Sequence, residues 1–253
     1  MMRLDLFLVE KGYFKSRNKA HDEIIKGAIK INGKVIKKPS FICEDTDLIE
    51  IDDNLTLKYV SRGGLKLEGA INSFKLDFKD KIILDIGSST GGFVDCALKH
   101  GAKLVYAVDV GDNQLDDTLR DDKRIKLFEN TNILDTNFDI KFDFVTMDVS
   151  FVSIEYLLNG ILKYISNDTT FITLIKPQFE LNNMKFKNGI VKDKKLHLKV
   201  LNNVSNALSN SGLGIYDLIL SPIKGGDGNI EFLALVKKGL GKNIDFDKFI
   251  RSL

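Results

Sequence analysis

The sequence predicts an α/β protein in two parts: a small helix-and-hairpin module, then a doubly wound, mostly parallel sheet. Three observations carry this. From Ile82 onward, short apolar strand candidates alternate with helical stretches, the βαβ rhythm of a parallel sheet. A glycine-rich turn, Gly87-Ser88-Ser89-Thr90-Gly91, joins the first of those strands to the first helix. Ahead of them, Asn32-Gly33 stands between alternating isoleucines and valine, the favoured dipeptide of a type I′ hairpin.

The totals set bounds on this picture. A chain of 253 residues can bury a sizeable core and form more than one domain. At 43% hydrophobic and 28% charged, it is neither disordered nor collagen-like. No run of eighteen apolar residues is present, so no transmembrane helix is expected. The start, MMRLDLFLVEKGYF, breaks its short apolar patch with Asp5 and Glu10 and makes a poor signal peptide. Two cysteines, Cys43 and Cys96, give no disulfide framework and too few ligands for zinc. A metal-free protein of a reducing cytoplasm, without membrane contact, is expected.

The first module runs over residues 1–58. Ser16 can N-cap a helix with Ala20, Ile24, Ile25 and Ala28 on one face, and Gly27 lies near its end. The IKINGKVI hairpin follows, and DLIEID supplies a further strand. Charge is uneven. From Arg3 to Lys38 ten Lys/Arg stand against four Asp/Glu, whereas Glu44–Asp53 holds six acids and no base. A basic block of this kind suits a phosphate backbone; the bland alternative is a solvated lysine-rich surface. The residues Arg3-Leu4-Asp5, Gly12, Ser16-Arg17, Ala20, Ile25, Gly27, Ile31-Asn32-Gly33 and Lys38-Pro39 resemble the S4 RNA-binding domain from end to end. The resemblance implies that Arg3, Arg17, Lys19, Lys26 and Lys30, with Arg62 just beyond, face structured RNA. The alternative for Arg3 and Arg17 is an ion pair with Asp5 or Asp22 inside the module.

After a linker at residues 59–63 the second domain spans 64–253. Its strand candidates are Ile82–Ile86, Leu104–Val108, Phe142–Met147, Phe171–Ile175, Ile215–Leu220 and Phe232–Val236. Helical stretches include Gly92–His100, Ile154–Tyr164 and His197–Asn210. The last two strands are joined by PIKGGDGN, too short for a crossover helix, so they pair antiparallel at the sheet edge.

Ligands in such sheets bind beyond the C-terminal strand ends. In ILDIGSSTGGF, Asp85 closes the strand, Gly87 lets the chain turn, and Gly91 and Gly92 allow close approach before Phe93. Asp109 ends the second strand about 20 residues on, where an acid can accept from ribose hydroxyls, and Val110 follows it. The dinucleotide fingerprint needs a second glycine where Ser89 stands, so a ligand without pyrophosphate fits better. S-adenosylmethionine has the ribose and adenine and no pyrophosphate.

Charged groups gather at the same edge. The strand FITLI delivers Lys176, followed at once by Pro177; DFVTM delivers Asp148; the last strand starts at Glu231; and Lys66 lies in SRGGLKL. Alone, each has an ordinary explanation: a helix cap, a solvated amine, an edge-strand gatekeeper. Together they resemble the Lys-Asp-Lys-Glu tetrad of FtsJ/RrmJ-like ribose 2′-O-methyltransferases. With the S4 module, the stretches SRGGLKL, LDIGSSTGGFVDC, YAVDVGDNQLDDTLRDD, MDVSFVSI, IKPQFE and GNIEFLALVK resemble the TlyA family, the "haemolysin A" ribosomal RNA methyltransferases.

That resemblance implies a Rossmann-like class I methyltransferase domain that binds S-adenosylmethionine. Lys66, Asp148, Lys176 and Glu231 are its implied catalytic residues. Asp85, Gly87, Ser88, Ser89, Thr90, Gly91, Gly92, Phe93, Asp109, Val110, Asn132 and Asp148 line or support the cofactor site. The implied partner is ribosomal RNA or a ribosomal subunit, with a cytidine as target, and a monomer is expected. The short ends match the shorter subtype, which acts on large-subunit RNA. Lys176 would be the general base if neutral, or would stabilise the developing alkoxide if charged. The second basic run, Lys185–Lys199, can line the RNA path, and the target nucleotide is expected to flip. Rival readings are a pore-forming haemolysin, an RNA-binding regulator with an inactive methyltransferase fold, and an NAD-dependent dehydrogenase.

Overall fold

The computed structural model describes residues 1–14, 16–52, 58–181, 189–225 and 228–253. It divides into two compact units, Met1–Arg62 and Gly63–Leu253.

The first unit opens with β1 (Met2–Arg3) and α1 (Leu4–Glu10), followed by α2 (Arg17–Lys26). The Ser16 hydroxyl caps α2 by accepting from the Lys19 amide, and Gly27 ends it in the left-handed region at φ 86°. Then come β2 (Ile29–Ile31), β3 (Lys34–Val35), β4 (Ile42–Cys43) and β5 (Ile49–Ile51). Asn32 and Gly33 both have positive φ, 51° and 77°, as the type I′ turn requires. Leu4, Leu8, Ala20, Ile24 and Ile29 make the core. One expectation fails here: Ile25 is 43% exposed, because helix packing at this end uses Ala20 and Ile24, with Glu23 between them.

The second unit begins with α3 (Gly63–Phe74), a helix whose glycine start obscured its apolar pattern. Parallel strands follow: β6 (Ile82–Ile86), β7 (Leu104–Val108), β8 (Ile125–Phe128), β9 (Phe144–Met147) and β10 (Thr170–Ile175). The helices α4 (Gly92–Lys99), α5 (Asp117–Arg120), α6 (Ile154–Ile161), α7 (Pro177–Glu180) and α8 (Lys194–Asn210) are interspersed. The chain closes with β11 (Leu213–Leu220), β12 (Phe232–Lys238) and α9 (Phe246–Arg251). The seven-stranded sheet has the order β11-β12-β10-β9-β6-β7-β8. β6, β9 and β10 are near-continuous apolar runs because both faces are covered. β12 is antiparallel to both neighbours. It lies one strand in from the edge, with β11 outermost. The cause is legible in burial: Phe232, Leu233, Ala234 and Val236 are fully buried, whereas from Tyr216 onward β11 keeps only Leu218 buried. Among the described residues no helix is long and apolar enough to cross a membrane.

Candidate active site

The register of the sheet builds the site. β9 and β10 run parallel and end side by side, which sets Asp148 and Lys176 on one rim. β12 runs the other way, and Ile175 pairs with Phe232. The next residue along β10, Lys176, and the preceding residue of β12, Glu231, therefore meet at the same rim. Lys66 comes from the first turn of α3, on the buried face with Leu67, Ala70 and Ile71.

The four side chains close into a cluster. Lys66 Nζ stands 2.8 Å from Glu231 Oε2 and 3.6 Å from Asp148 Oδ2. Lys176 Nζ stands 2.6 Å from Asp148 Oδ1 and donates to Ser150 Oγ at 3.0 Å. Two lysines and two carboxyl groups thus meet in a largely enclosed volume: Lys66, Lys176 and Glu231 are buried, and Asp148 is half-buried. Asp148 bridges the two lysines. An ammonium has three donor positions; Asp148 and Ser150 occupy two on Lys176 and leave one for an incoming oxygen. The amine also lies 5.7 Å from the centre of the Phe179 ring. Gly225 leaves room for Glu231: a Cβ there would stand 2.5 Å from Glu231 Oε1.

Beside the cluster opens a cleft of about 390 Å³ that shares Asp148 and Ser150 with it. Ile86, Gly87, Ser89, Asp109, Val110, Gly111, Gln114, Asn132 and Phe151 are among its walls. Gly87 turns the chain at φ 80°, and a Cβ there would come within 2.5 Å of the Asp148 carbonyl oxygen. Ser89, also left-handed at φ 46°, donates its amide to Asp109 Oδ2 at 2.8 Å. Asp109 Oδ1 accepts from the Gly111 amide at 2.7 Å, and each oxygen keeps a lone pair for a ligand hydroxyl. Asn132 lines the wall while its Oδ1 accepts from the Leu134 amide. These donor and acceptor groups, with the apolar side chains of Ile86 and Leu157, fit a nucleoside.

Other residues expected at the cofactor lie beneath the cleft. Gly91 and Gly92 start α4; Ser88 and Phe93 are buried there, and the Thr90 carbonyl accepts from the Asp116 amide. Asp85 is buried under the turn, where its Oδ1 accepts from the Thr146 hydroxyl at 2.6 Å and its Oδ2 has no hydrogen-bond partner among the described residues. Burial pushes its carboxyl up to about 7.

The basic residues of the first unit are largely engaged there. Asp5 accepts from Arg3 at 3.0 Å and from Arg17 at 2.8 Å. The pull of Arg3, opposed in part by burial and reinforced by Arg17, holds its carboxyl down at about 2. Lys19 Nζ donates to the Val60 carbonyl, and Arg62 pairs with Asp22 at 3.2 Å. Both guanidinium groups on Asp5 remain about half exposed, so pairing and an outward face coexist. Lys26 is half-buried, 3.9 Å from Glu23; Lys30 lies on β2 opposite Glu50. Of the second basic run, residues 185–188 lie outside the described residues.

Sequence reasoning missed Ser150 and Phe151 as parts of the site, whereas Gln114 falls in the YAVDVGDNQLDDTLRDD stretch whose resemblance points to the cofactor side. Ser150 offered a signal in its spacing, two residues beyond Asp148. Phe151 stands out only in three dimensions: it is 90% exposed at φ 66°, its ring 4.9 Å from that of Phe179.

Comparison with known proteins places this geometry in context. The FtsJ-like methyltransferase pattern matches residues 59–238 and the S4 domain pattern matches residues 2–49. A Brachyspira hyodysenteriae protein named Hemolysin A is 45% identical, covering 92% of this chain and 98% of the relative. A Campylobacter jejuni protein named 23S rRNA (cytidine-2′-O)-methyltransferase TlyA is 38% identical, covering 91% of this chain and 97% of the relative. A solved structure from Streptococcus thermophilus, described as a hemolysin candidate, superposes with a TM-score of 0.79 at 37% identity. It covers 99% of this chain and 94% of that one.

Proposed function

The chain belongs to the FtsJ-like methyltransferase family and carries an S4 domain ahead of that fold; from this premise we propose that it methylates a ribose 2′-hydroxyl of ribosomal RNA, with S-adenosylmethionine as methyl donor. The observation that carries the reading is the closed cluster of Lys66, Asp148, Lys176 and Glu231 beside a nucleoside-shaped cleft. The name of the Campylobacter jejuni relative supports a cytidine of large-subunit RNA as the target.

Bound S-adenosylmethionine supplies a methyl group carried on a sulfonium sulfur. Asp109 would hold its ribose hydroxyls, and Gly87, Ser89, Gln114 and Asn132 would shape the walls around it. The protein's remaining task is to present a weakly acidic hydroxyl and manage its proton. Lys176 Nζ, fixed by Asp148 and Ser150, is placed to contact the 2′-oxygen. There it would take the proton as the methyl carbon exchanges its bond to sulfur for one to the 2′-oxygen; if already charged, it would instead hold the oxyanion while the proton passes to solvent. A pH–rate profile separates the two: a base gives a rate that rises with pH to a plateau, an ammonium gives one that falls once it deprotonates. Lys66 would hold Asp148 from its other oxygen, and Glu231 would hold Lys66. Positioning of this kind is worth roughly 7–11 kcal/mol in favourable cases, and a placed base about 10²–10⁴-fold in rate. The 2′-oxygens of a folded RNA lie in a shallow groove, so the target nucleotide must turn out of its helix. The exposed Phe151 ring at the cleft mouth suits stacking on the released base.

The S4 domain supplies RNA affinity in this reading. A 2′-O-methyl group makes the adjoining phosphodiester resistant to alkali. Ribosomal RNA from cells with the gene is expected to show one resistant cytidine in the large subunit that is absent when the gene is deleted. Identical alkaline ladders from the two strains would overturn the proposal.

A further inference from the structure

Arg120 and Glu129 stand outside the tetrad, and neither lines the cleft. They form a two-pronged ion pair: Arg120 Nη2 donates to Glu129 Oε1 at 2.8 Å and Nη1 to Oε2 at 3.1 Å. Glu129 Oε1 also accepts from the backbone amides of Gln114 at 2.6 Å and Leu115 at 3.0 Å. Arg120 Nε donates to the Leu115 carbonyl at 3.1 Å. One side-chain pair therefore satisfies both polar backbone groups of Leu115 and the amide of Gln114.

The network continues into the cleft. The Gln114 side chain folds over Gly111, where a Cβ would stand 2.4 Å from its Nε2. Its Oε1 accepts from the Ser89 hydroxyl at 3.4 Å, and the Ser89 amide donates to Asp109. Glu129 directly follows β8, and Asp109 directly follows the neighbouring β7. The wall built by Asp109, Gly111 and Gln114 comes from the end of β7 and the polar stretch GDNQ (111–114) after it, which includes Asn113 at φ 51°. The first half of this loop is tied to the end of β8 by the Asn130 amide on the Gly111 carbonyl and the Thr131 amide on the Asp109 carbonyl; its second half, Gln114 and Leu115, is tied there by the ion pair.

We propose that Arg120 and Glu129 are positioning residues for the cofactor cleft: their ion pair fixes residues 109–115 so that Asp109 and Gln114 present a formed wall to the nucleoside. This rests on the S-adenosylmethionine reading above. The chemistry explains the residue choice. A planar guanidinium can donate to both carboxylate oxygens and to a carbonyl at once, which an ammonium cannot do in the same geometry.

The test is direct titration of S-adenosylmethionine into the full chain by calorimetry, alongside melting temperatures without ligand. Arg120→Ala and Glu129→Gln are each expected to weaken binding about tenfold or more, as loss of charge-assisted hydrogen bonds does. Arg120→Lys should recover less than half of that loss. The double variant should bind about as well as the weaker single one, because both break one network. In turnover the loss should appear in the cofactor KM and vanish at saturating cofactor, with the RNA KM unmoved. If Arg120→Ala does not fold, the near-isosteric Glu129→Gln decides alone. Folded variants that bind within about twofold of a binding wild type would overturn the inference only. A wild type that binds no S-adenosylmethionine would overturn the functional reading and the inference with it.

Discussion

Lys176 is held by ordinary means for a buried amine: a carboxylate at 2.6 Å and a hydroxyl at 3.0 Å. A buried charge is tolerated when paired and is costly when its partner is removed, by about 3–5 kcal/mol. In the proposed mechanism the tetrad is therefore structural and chemical at once, and single deletions of its acids should lower stability as well as rate. A half-buried carboxyl lies in the segment that follows Lys176. Glu180, at the end of α7, accepts from the Ile154 amide at the start of α6 and so ties the loop after Lys176 to the loop after Asp148. Burial pushes its carboxyl up to about 7 from the ordinary 4.5, with Glu155 adding to the rise and the Ile154 hydrogen bond opposing it. A raised carboxyl favours the fold while protonated, so its contribution is full below about pH 4.5 and is lost as pH rises through about 7. Glu180→Gln keeps the acceptor and removes the titration. Urea unfolding at pH 5 and pH 8 should show the variant gaining about 2 kcal/mol on wild type across that interval. An unchanged difference would mean Glu180 is not buried as described. Of these residues, Lys176, Asp148 and Glu231 were legible in the sequence because each breaks an apolar strand pattern at its end. Ser150 and Glu180 break no pattern and were not.

At the scale of elements, the site depends on β12 entering the sheet between β10 and β11. That insertion sets Glu231 opposite Lys176 across a ladder rather than at an outer edge. The antiparallel pairing followed from a connection too short for a helix. Which of the last two strands lay outside did not, because the order depends on packing of α8 and α9 against the sheet. The strand Ile125–Phe128 was legible only as a region ahead of Glu129 and not in its bounds: its KRIKLF pattern is short and half-polar, as an edge strand allows. The first turn after β6 was legible from its glycines, and it gives a sharp expectation. Gly87 combines φ 80° with a Cβ position 2.5 Å from the Asp148 carbonyl. Gly87→Ala should cost about 1–3 kcal/mol in stability, measured by thermal unfolding, and abolish measurable S-adenosylmethionine binding. Wild-type cofactor affinity in that variant would mean the turn does not shape the site.

At the scale of the molecule, two units divide the work: one has the S4 pattern and a basic surplus, the other the cleft and the tetrad. The basic block of the first unit was legible as charge. The Arg3–Asp5–Arg17 pairing was one of two readings left open, and both arginines prove to be paired yet outward-facing. Lys30 is the simplest probe of the RNA surface, since it lies on β2 and carries no ion pair among those described. Lys30→Ala should weaken RNA binding and reduce the slope of log affinity against log salt by about 1, measured by filter binding over a salt series. An unchanged slope would take that lysine off the RNA surface. The most direct measurement is single-turnover transfer of labelled methyl from S-adenosylmethionine to large ribosomal subunits from a strain lacking the gene, with wild type beside Lys176→Ala. The expected result is label at one ribose with wild type and a loss of about 10²-fold or more in the variant, at unchanged cofactor affinity. Label transferred equally well by Lys176→Ala would contradict the role assigned to this lysine, and no label with wild type would contradict the proposed activity itself.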